Sequence, residues 1–477
     1  MRVLVALAFF VFAVSASADF DKGLQAWNSG DYRAAFDQFK AAAEQGDARA
    51  QYYLAEAFYL GRGTVQDYAE ALKWYRKAAD QGQAEALEKL CTSYFFGENI
   101  IRKDETEAAK MCGGAAKKGK TYPAFLAGYL YEFGKGVTPD LARAAEYYKI
   151  AADGGNADAQ EALGRMYFFG QGVTQDYTEA AKWNRKVAET GRAYPQYLMG
   201  FMSENGRGVQ QDLAEAAKWY RKAADQGDAR AMAALGYLYA QGKGVPKDDA
   251  QALKLYLSAA EKGDTSVFPL LGYAYYEGKG TAKSESEAIK WFRKAAEQGD
   301  KDSQYMLGYL LEQSKNPTEA AQWYQKAAEQ GLVAAQESLA GLYFSGQGVP
   351  RDYAQALKWY QKPAENGSIY AQYILGYLYE GREGVPADPA QSIKWYTMAA
   401  EKGDPHAQLA LGYLLSDEKN GKSDLMTAHM WSNLAAAQLS GEERSAAERQ
   451  RDYVASKLSP DQLLKAQQRA RDWKPKG

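Results

Sequence analysis

The stretch Met232-Ala-Ala-Leu-Gly-Tyr-Leu-Tyr239, followed by Gly242-Lys-Gly-Val245, decides the fold. Its apolar residues fall at helical spacing, and the small residue Gly236 lets a second helix approach closely. Gly242 stops the first helix, glycine being the residue that tolerates the left-handed C-terminal position. Asp248 then opens a second helix, with Gln251 three residues on, the spacing of a capping box. These signals recur along the chain. The slot of Gly236 is filled by Ala55, Cys91, Gly128, Gly164, Gly200, Gly272, Gly308, Ala340, Gly376 and Gly412, at steps of 36 residues apart from one of 37 and one of 32. A column of tryptophans stands 19 residues later, at Trp74, Trp183, Trp219, Trp291, Trp359, Trp395 and Trp431. Eleven units in register exclude coincidence, and a fixed period of this length is the mark of a repeat architecture.

Each unit reads as a helical hairpin. The second helix carries A-x-x-[WY]-Y-x-K-A-A and ends at a glycine such as Gly82, Gly227 or Gly331. Asp67, Asp176 and Asp212 precede a Glu by three residues, Asp248 and Asp352 a Gln, so capping boxes are expected at all five. Asn316-Pro317 and Asp388-Pro389 place Pro at the first helical position, where its missing N–H costs nothing. Two units depart from the pattern. Glu312-Gln-Ser-Lys-Asn316 replaces a G-x-G-V loop and demands a tighter turn. Pro363 falls inside a second helix, where it is expected to kink or end it at a cost of about 3 kcal/mol. Strand signals are absent.

These residues resemble the Sel1-like repeat family, a relative of the tetratricopeptide repeat. Its Leu-Gly helix, G-x-G-V loop and W-Y-x-K-A-A helix are visible in Leu235-Gly236-Tyr-Leu-Tyr239 with Gly242-Lys-Gly-Val245, and in Leu375-Gly376-Tyr-Leu-Tyr379 with Trp395-Tyr-Thr-Met-Ala-Ala400. The resemblance implies an all-α, right-handed superhelical solenoid of about eleven helix-turn-helix repeats. Residues 48–440 carry the repeats, residues 19–47 a degenerate opening unit, and residues 441–477 closing helices that cap the stack. A single hairpin cannot bury its apolar face, so neighbours stack into one core and leave an inner surface built mainly from first helices.

Composition narrows the function. The 477 residues hold 58 Lys+Arg against 60 Asp+Glu, so no basic field exists to hold nucleic acid. Two Cys and two His, His406 and His429, are too few for a zinc array. Arg2, the 12-residue apolar run Val3 to Val14 and Ala16-Ser17-Ala18 have the layout of a secretory signal peptide (residues 1–18), cut after Ala18. A membrane span would need about 20 apolar residues. The mature chain is thus expected in a bacterial periplasm, not membrane-spanning after cleavage. Gly114-Ala-Ala-Lys-Lys-Gly-Lys-Thr121 matches a phosphate loop in letters, but it spans the end of a second helix where a strand is required. Ser416-Asp-Glu-Lys419 matches S-x-x-K, without the K-T-G or S-D-N partners of penicillin-recognising enzymes. No catalytic residue, cofactor or metal is therefore expected.

Three readings of function stand in order. A non-catalytic scaffold of the bacterial envelope, binding a protein or peptide on the concave surface, is the first, because stacked repeats offer large surfaces and no reaction centre. A glycan-binding envelope protein, touching peptidoglycan or exopolysaccharide, is the second, since aromatic rings also stack on sugars. A β-lactamase-like hydrolase is remote: some cysteine-rich members of the family carry that label, and this chain lacks their regular cysteines. The residue two places after the first-helix Leu should face the inner surface; this slot holds Tyr129, Phe201, Tyr237, Tyr273, Tyr309, Tyr377 and Tyr413. Three places further on lie Tyr276, Glu132, Glu204, Glu312 and Glu380. Together they predict an aromatic strip dotted with carboxylates that select basic side chains; the alternative is that the tyrosines pack between first helices. Cys91 and Cys112, one on each helix of a unit and at similar heights, either form a disulfide or remain two buried thiols.

Overall fold

A computed structural model describes residues 19–420 and 423–476. The expected leader, residues 1–18, lies outside the described residues. Regular structure among the described residues is helical, apart from two isolated bridges, Glu98–Ile101 and Arg382–Val385, in loops between paired helices. The chain divides into two compact units, ending at Lys262 and beginning at Gly263.

The first unit opens with a helix at residues 19–29 and Tyr32–Glu44. Six helix pairs follow: Ala48–Leu60 with Tyr68–Asp80, Ala84–Phe96 with Glu105–Ala116, Thr121–Phe133 with Leu141–Asp153, Ala157–Phe169 with Tyr177–Glu189, Ala193–Asn205 with Leu213–Asp225, and Ala229–Gln241 with Asp249–Glu261. The second unit holds Phe268–Glu277 with Glu285–Glu297, Lys301–Gln313 with Pro317–Glu329, Val333–Ser345 with Tyr353–Glu365, Ile369–Leu378 with Pro389–Glu401, and Pro405–Ser416 with Leu425–Gln438. Gly441–Ala455 and Pro460–Asp472 close it. In each unit a first helix packs on its own second helix, which packs on the next first helix. This is the stacking of an α/α solenoid.

The second helices show why the pattern folds this way. Tyr68–Asp80 buries Ala71, Trp74, Tyr75, Ala78 and Ala79, a stripe at i, i+3, i+4, i+7 and i+8. Asp67 caps it by accepting from the N–H groups of Ala69 and Glu70. The capping boxes expected here are only half made. Glu70, Glu179 and Glu215 turn to Lys73, Lys182 and Lys218, three residues on, because a nearby ammonium is a stronger partner than a backbone N–H that water already serves. The reciprocal box is complete at Ser459 and Gln462.

Loop glycines join repeats as well as ending helices. Gly242, with φ +65°, caps its helix; Gly244, with φ +69°, lies so close to the start of the preceding second helix that a Cβ would stand 2.3 Å from the Leu213 carbonyl. In the short turn Lys315 takes φ +61° itself, and the Asn316 N–H donates to the Leu311 carbonyl at 2.8 Å. Pro363, expected to kink or end its helix, does not end it. Tyr353–Glu365 keeps the 13-residue length of its siblings, because Pro363 is third from the C-terminus and forfeits only the bond to the Trp359 carbonyl.

Buried glutamines tie successive repeats together. Gln51, Gln304 and Gln408 donate from Nε2 to the carbonyls of Ala43, Ala296 and Ala400 in the last turn of the preceding helix, at 3.2, 3.1 and 3.3 Å. The Oε1 of each accepts from Gln81, Gln330 or Gln438. Each of these carbonyls already accepts a backbone N–H at its helix C-terminus, and the glutamine fills its second acceptor site. At the chain's end Trp473 meets the Trp431 ring edge-on at 5.8 Å, and Lys476 pairs with Glu401 at 2.7 Å.

Candidate partner-binding surface

The first-helix aromatics sit where the Leu-Gly pair leaves them. Gly200 is pressed against its second helix so tightly that a Cβ would stand 2.5 Å from the Tyr220 ring. The next residue is thereby turned off the helix–helix contact. In the first unit this places Tyr129, Phe201 and Tyr237; in the second, Tyr273, Tyr309, Tyr377 and Tyr413. Tyr237 and Tyr413 are exposed, at 40% and 46% of their surface. Tyr129, Phe201, Tyr273, Tyr309 and Tyr377 are half-buried, as is Tyr276, whose phenol is pushed up by the neighbouring Tyr309 phenol. The covered part of Tyr273 meets Phe292 edge-on at 5.0 Å, so each ring divides between packing and surface.

The carboxylates are engaged from within the chain. Glu132, Glu204, Glu312 and Glu380 accept the hydroxyls of Tyr148, Tyr220, Tyr324 and Tyr396 at 2.7, 2.7, 2.8 and 2.6 Å. Burial, then the adjoining carboxylate, holds these phenols far above their ordinary pKa, so they remain neutral donors. Where the repeat register puts Ala240 in the place of the glutamate, Tyr256 is pushed by burial up to about 12. Glu132 also pairs with Arg165 of the next repeat, and Glu380 with Arg382 at 3.0 Å. At those two positions the basic group sought from a partner comes from the chain itself. Glu204 and Glu312 carry no such ion pair among the described residues.

Sequence reading passed over this Tyr–Glu bond, although a signal existed. Units with Glu in the slot have Tyr at its second-helix partner and an aromatic ring seven residues, about two turns, earlier on the first helix, as in Phe125, Tyr197, Tyr305 and Tyr373. Those rings lie 5.7–6.0 Å from the phenols. Where the second helix carries Cys112 or Asn184, the slot holds Phe95 or Phe168.

Cys91 and Cys112 are joined, with Cα atoms 4.7 Å apart. They occupy the places that Gly200 and Tyr220 hold three repeats on, so a covalent bond stands where other units press a ring on a glycine. The catalytic look-alikes fail on geometry. Gly114 to Ala116 end one helix and Thr121 begins the next, with no strand before them. Ser416 is the last residue of its helix and is bonded to the Tyr413 carbonyl and to Gln450, while Lys419 lies beyond in an exposed turn. His406 faces Glu443 at 3.7 Å, and His429 is buried in Leu425–Gln438.

Comparison with known proteins agrees with this architecture. The Sel1 repeat model matches residues 48–83, 84–120, 124–156, 157–189, 196–228, 229–264, 270–300, 301–332, 333–368, 369–404 and 405–438. The chain is similar to the crystal structure of c5321, a protective antigen present in uropathogenic Escherichia coli strains displaying an SLR fold. That match is 33% identical, covers 92% of this chain and 94% of that one, and has a TM-score of 0.60. A Sel1 repeat protein from Oxalobacter formigenes is 29% identical over 64% of this chain and 90% of its own, with a TM-score of 0.49. No curated protein matches the chain.

Proposed function

The chain belongs to the Sel1 repeat family, and on that premise we propose that it is a non-catalytic scaffold of the bacterial envelope, holding a protein or peptide on the surface of its first helices. Sel1 repeats are in general a protein-interaction fold, which supports the coarser part of this reading. The observation that carries the finer part is the column of tyrosines, rooted by one edge in the core and open at the other. Tyrosine held in this way presents stiff amphipathic area with little rotamer entropy left to lose on binding. Glu204 and Glu312 are the carboxylates left to meet basic side chains. Export rests on the leader at residues 1–18, and the bonded Cys91 and Cys112 suit an oxidising compartment.

The test is a triple substitution within the second unit, Tyr309→Ala with Tyr377→Ala and Tyr413→Ala. Helicity should be retained, the melting temperature should fall by only a few degrees, and envelope proteins captured by the wild-type chain should no longer be retained. An unfolded triple variant would make these rings core and remove the surface from the account.

A further inference from the structure

A second apolar row lies in the first unit, at the ends of its first helices. The last residue of the first helix is Leu60, Phe96, Phe133 and Phe169 in four successive repeats. These side chains are 43%, 61%, 57% and 51% exposed. The same position holds Asn205 and Gln241 in the two repeats that follow, and Glu277, Gln313 and Ser345 in the second unit. Water-facing apolar rings repeated in register and then replaced by amides mark an interaction surface rather than scattered exposure. The row is continuous with the first-helix aromatics. Phe96 meets Phe95 at 4.8 Å, Phe95 meets Tyr129 at 5.9 Å, and Tyr129 meets Phe133 at 4.8 Å.

The charges beside the row are uneven. Glu98 is held by Lys89 at 3.1 Å, and Glu132 by Arg165 and Tyr148. Arg62 and Lys135 stand two residues beyond Leu60 and Phe133, and Arg102 lies in the loop after Phe96. None of these three has a carboxylate within salt-bridge distance among the described residues; Arg62 rests over Tyr32 and Lys135 over Tyr129. The rim of the row therefore carries more free cations than free anions; Glu56, one turn before Leu60, accepts the Tyr75 hydroxyl and has no ion pair among the described residues.

Spacing selects the shape of the occupant. The row offers one anchor per repeat, and successive first helices touch through Phe95 and Tyr129, which puts neighbouring anchors on the order of 10 Å apart. Two turns of α-helix advance about 10.8 Å and return a side chain to the same face. A β-strand covers that distance in about three residues, which puts successive anchors on opposite faces. We propose that Leu60, Phe96, Phe133 and Phe169 dock an amphipathic helix of a partner protein, with apolar residues seven apart and acidic residues flanking them. This rests on the reading of the first helices as the binding surface, and adds where in the first unit a partner sits and what chemistry it carries.

The test uses the purified chain and two labelled model helices of about 28 residues, four heptads long. Both carry Leu at the apolar heptad positions; one is flanked by Glu, the other by Lys. The Glu helix should bind, with affinity that falls as salt is raised, and the Lys helix should bind at least about tenfold more weakly. Replacing all four anchors with Gln, the residue that the chain itself places there in later repeats, should weaken the Glu helix by at least about tenfold at unchanged helicity. No binding of the Glu helix, equal binding of both peptides, or equal binding by the Gln variant would overturn the proposal. So would tighter binding of a proline-rich extended peptide, or a wild-type dimer that the Gln variant dissociates. Loss of native partners in the Tyr309, Tyr377 and Tyr413 variant, alongside failure of the peptide test, would sink this inference alone.

Discussion

At the scale of single residues, small groups decide how closely helices approach. Gly200→Ala sets a methyl against the Tyr220 ring, yet Ala55 and Ala340 occupy the same slot opposite Tyr75 and Tyr360. The slot accommodates Ala when its neighbours shift, so the substitution should cost about 1–3 kcal/mol without changing the fold, measured by denaturant unfolding. His429 supplies a pH dependence. It is buried, its Nδ1 has no hydrogen-bond partner, and desolvation, then the nearby Arg451, lowers its pKa while Asp452 opposes. The unfolded chain therefore binds a proton at a pH where the folded chain does not. Stability is fully present above the ordinary value near 6.5 and is lost as pH falls through it. Melting temperatures at pH 7.5 and 5 should differ more for the wild type than for His429→Leu; equal differences would clear His429 of this role. The glycine slot was legible in the sequence because its spacing repeats. The unpaired Nδ1 was not, since it depends on groups from the closing helix Gly441–Ala455.

Helices and their pairings were readable to the extent that local chemistry governs them. Asp67, Asp176 and Asp212 cap as their spacing implies, but their Glu partners go to lysines, a competition that the capping rule alone does not weigh. Of the two outcomes expected at Pro363, a kink or an end, the end does not occur, because the penalty depends on where in the helix the proline falls. The Tyr148–Glu132 bond joins two helices across a loop and was visible only by comparing units with one another. The helix Glu105–Ala116 is the weakest of its kind by composition, with Gly113 and Gly114 in its last turns and Met111 in the tryptophan column. The bond from Cys112 to Cys91 closes a loop with a sequence separation of 21 and should contribute about 3 kcal/mol. Cys91→Ala with Cys112→Ala is expected to lower the unfolding free energy by about that amount. It should also raise amide exchange first in Glu105–Ala116; uniform exchange along the chain would contradict this local role.

Across the whole molecule, a period of 36 residues made the architecture plain before any helix was placed, because every unit repeats one set of local instructions. The binding surface was less plain. An alternation of exposed and covered rings depends on which side of each ring a neighbouring repeat covers, and no single unit encodes that. The expected strip stays a proposal, and half of its carboxylates are committed to arginines of the chain. What remains is the claim that first helices, and not second helices, meet the partner. Site-specific photo-crosslinking in cells tests it most directly. A benzophenone side chain replaces Tyr413 or Tyr309 on first helices and, in separate strains, Arg185 or Gln325 on the exposed side of second helices. The account predicts discrete adducts with a protein at Tyr413 and Tyr309 and none at Arg185 or Gln325. Adducts confined to the second-helix positions would contradict it.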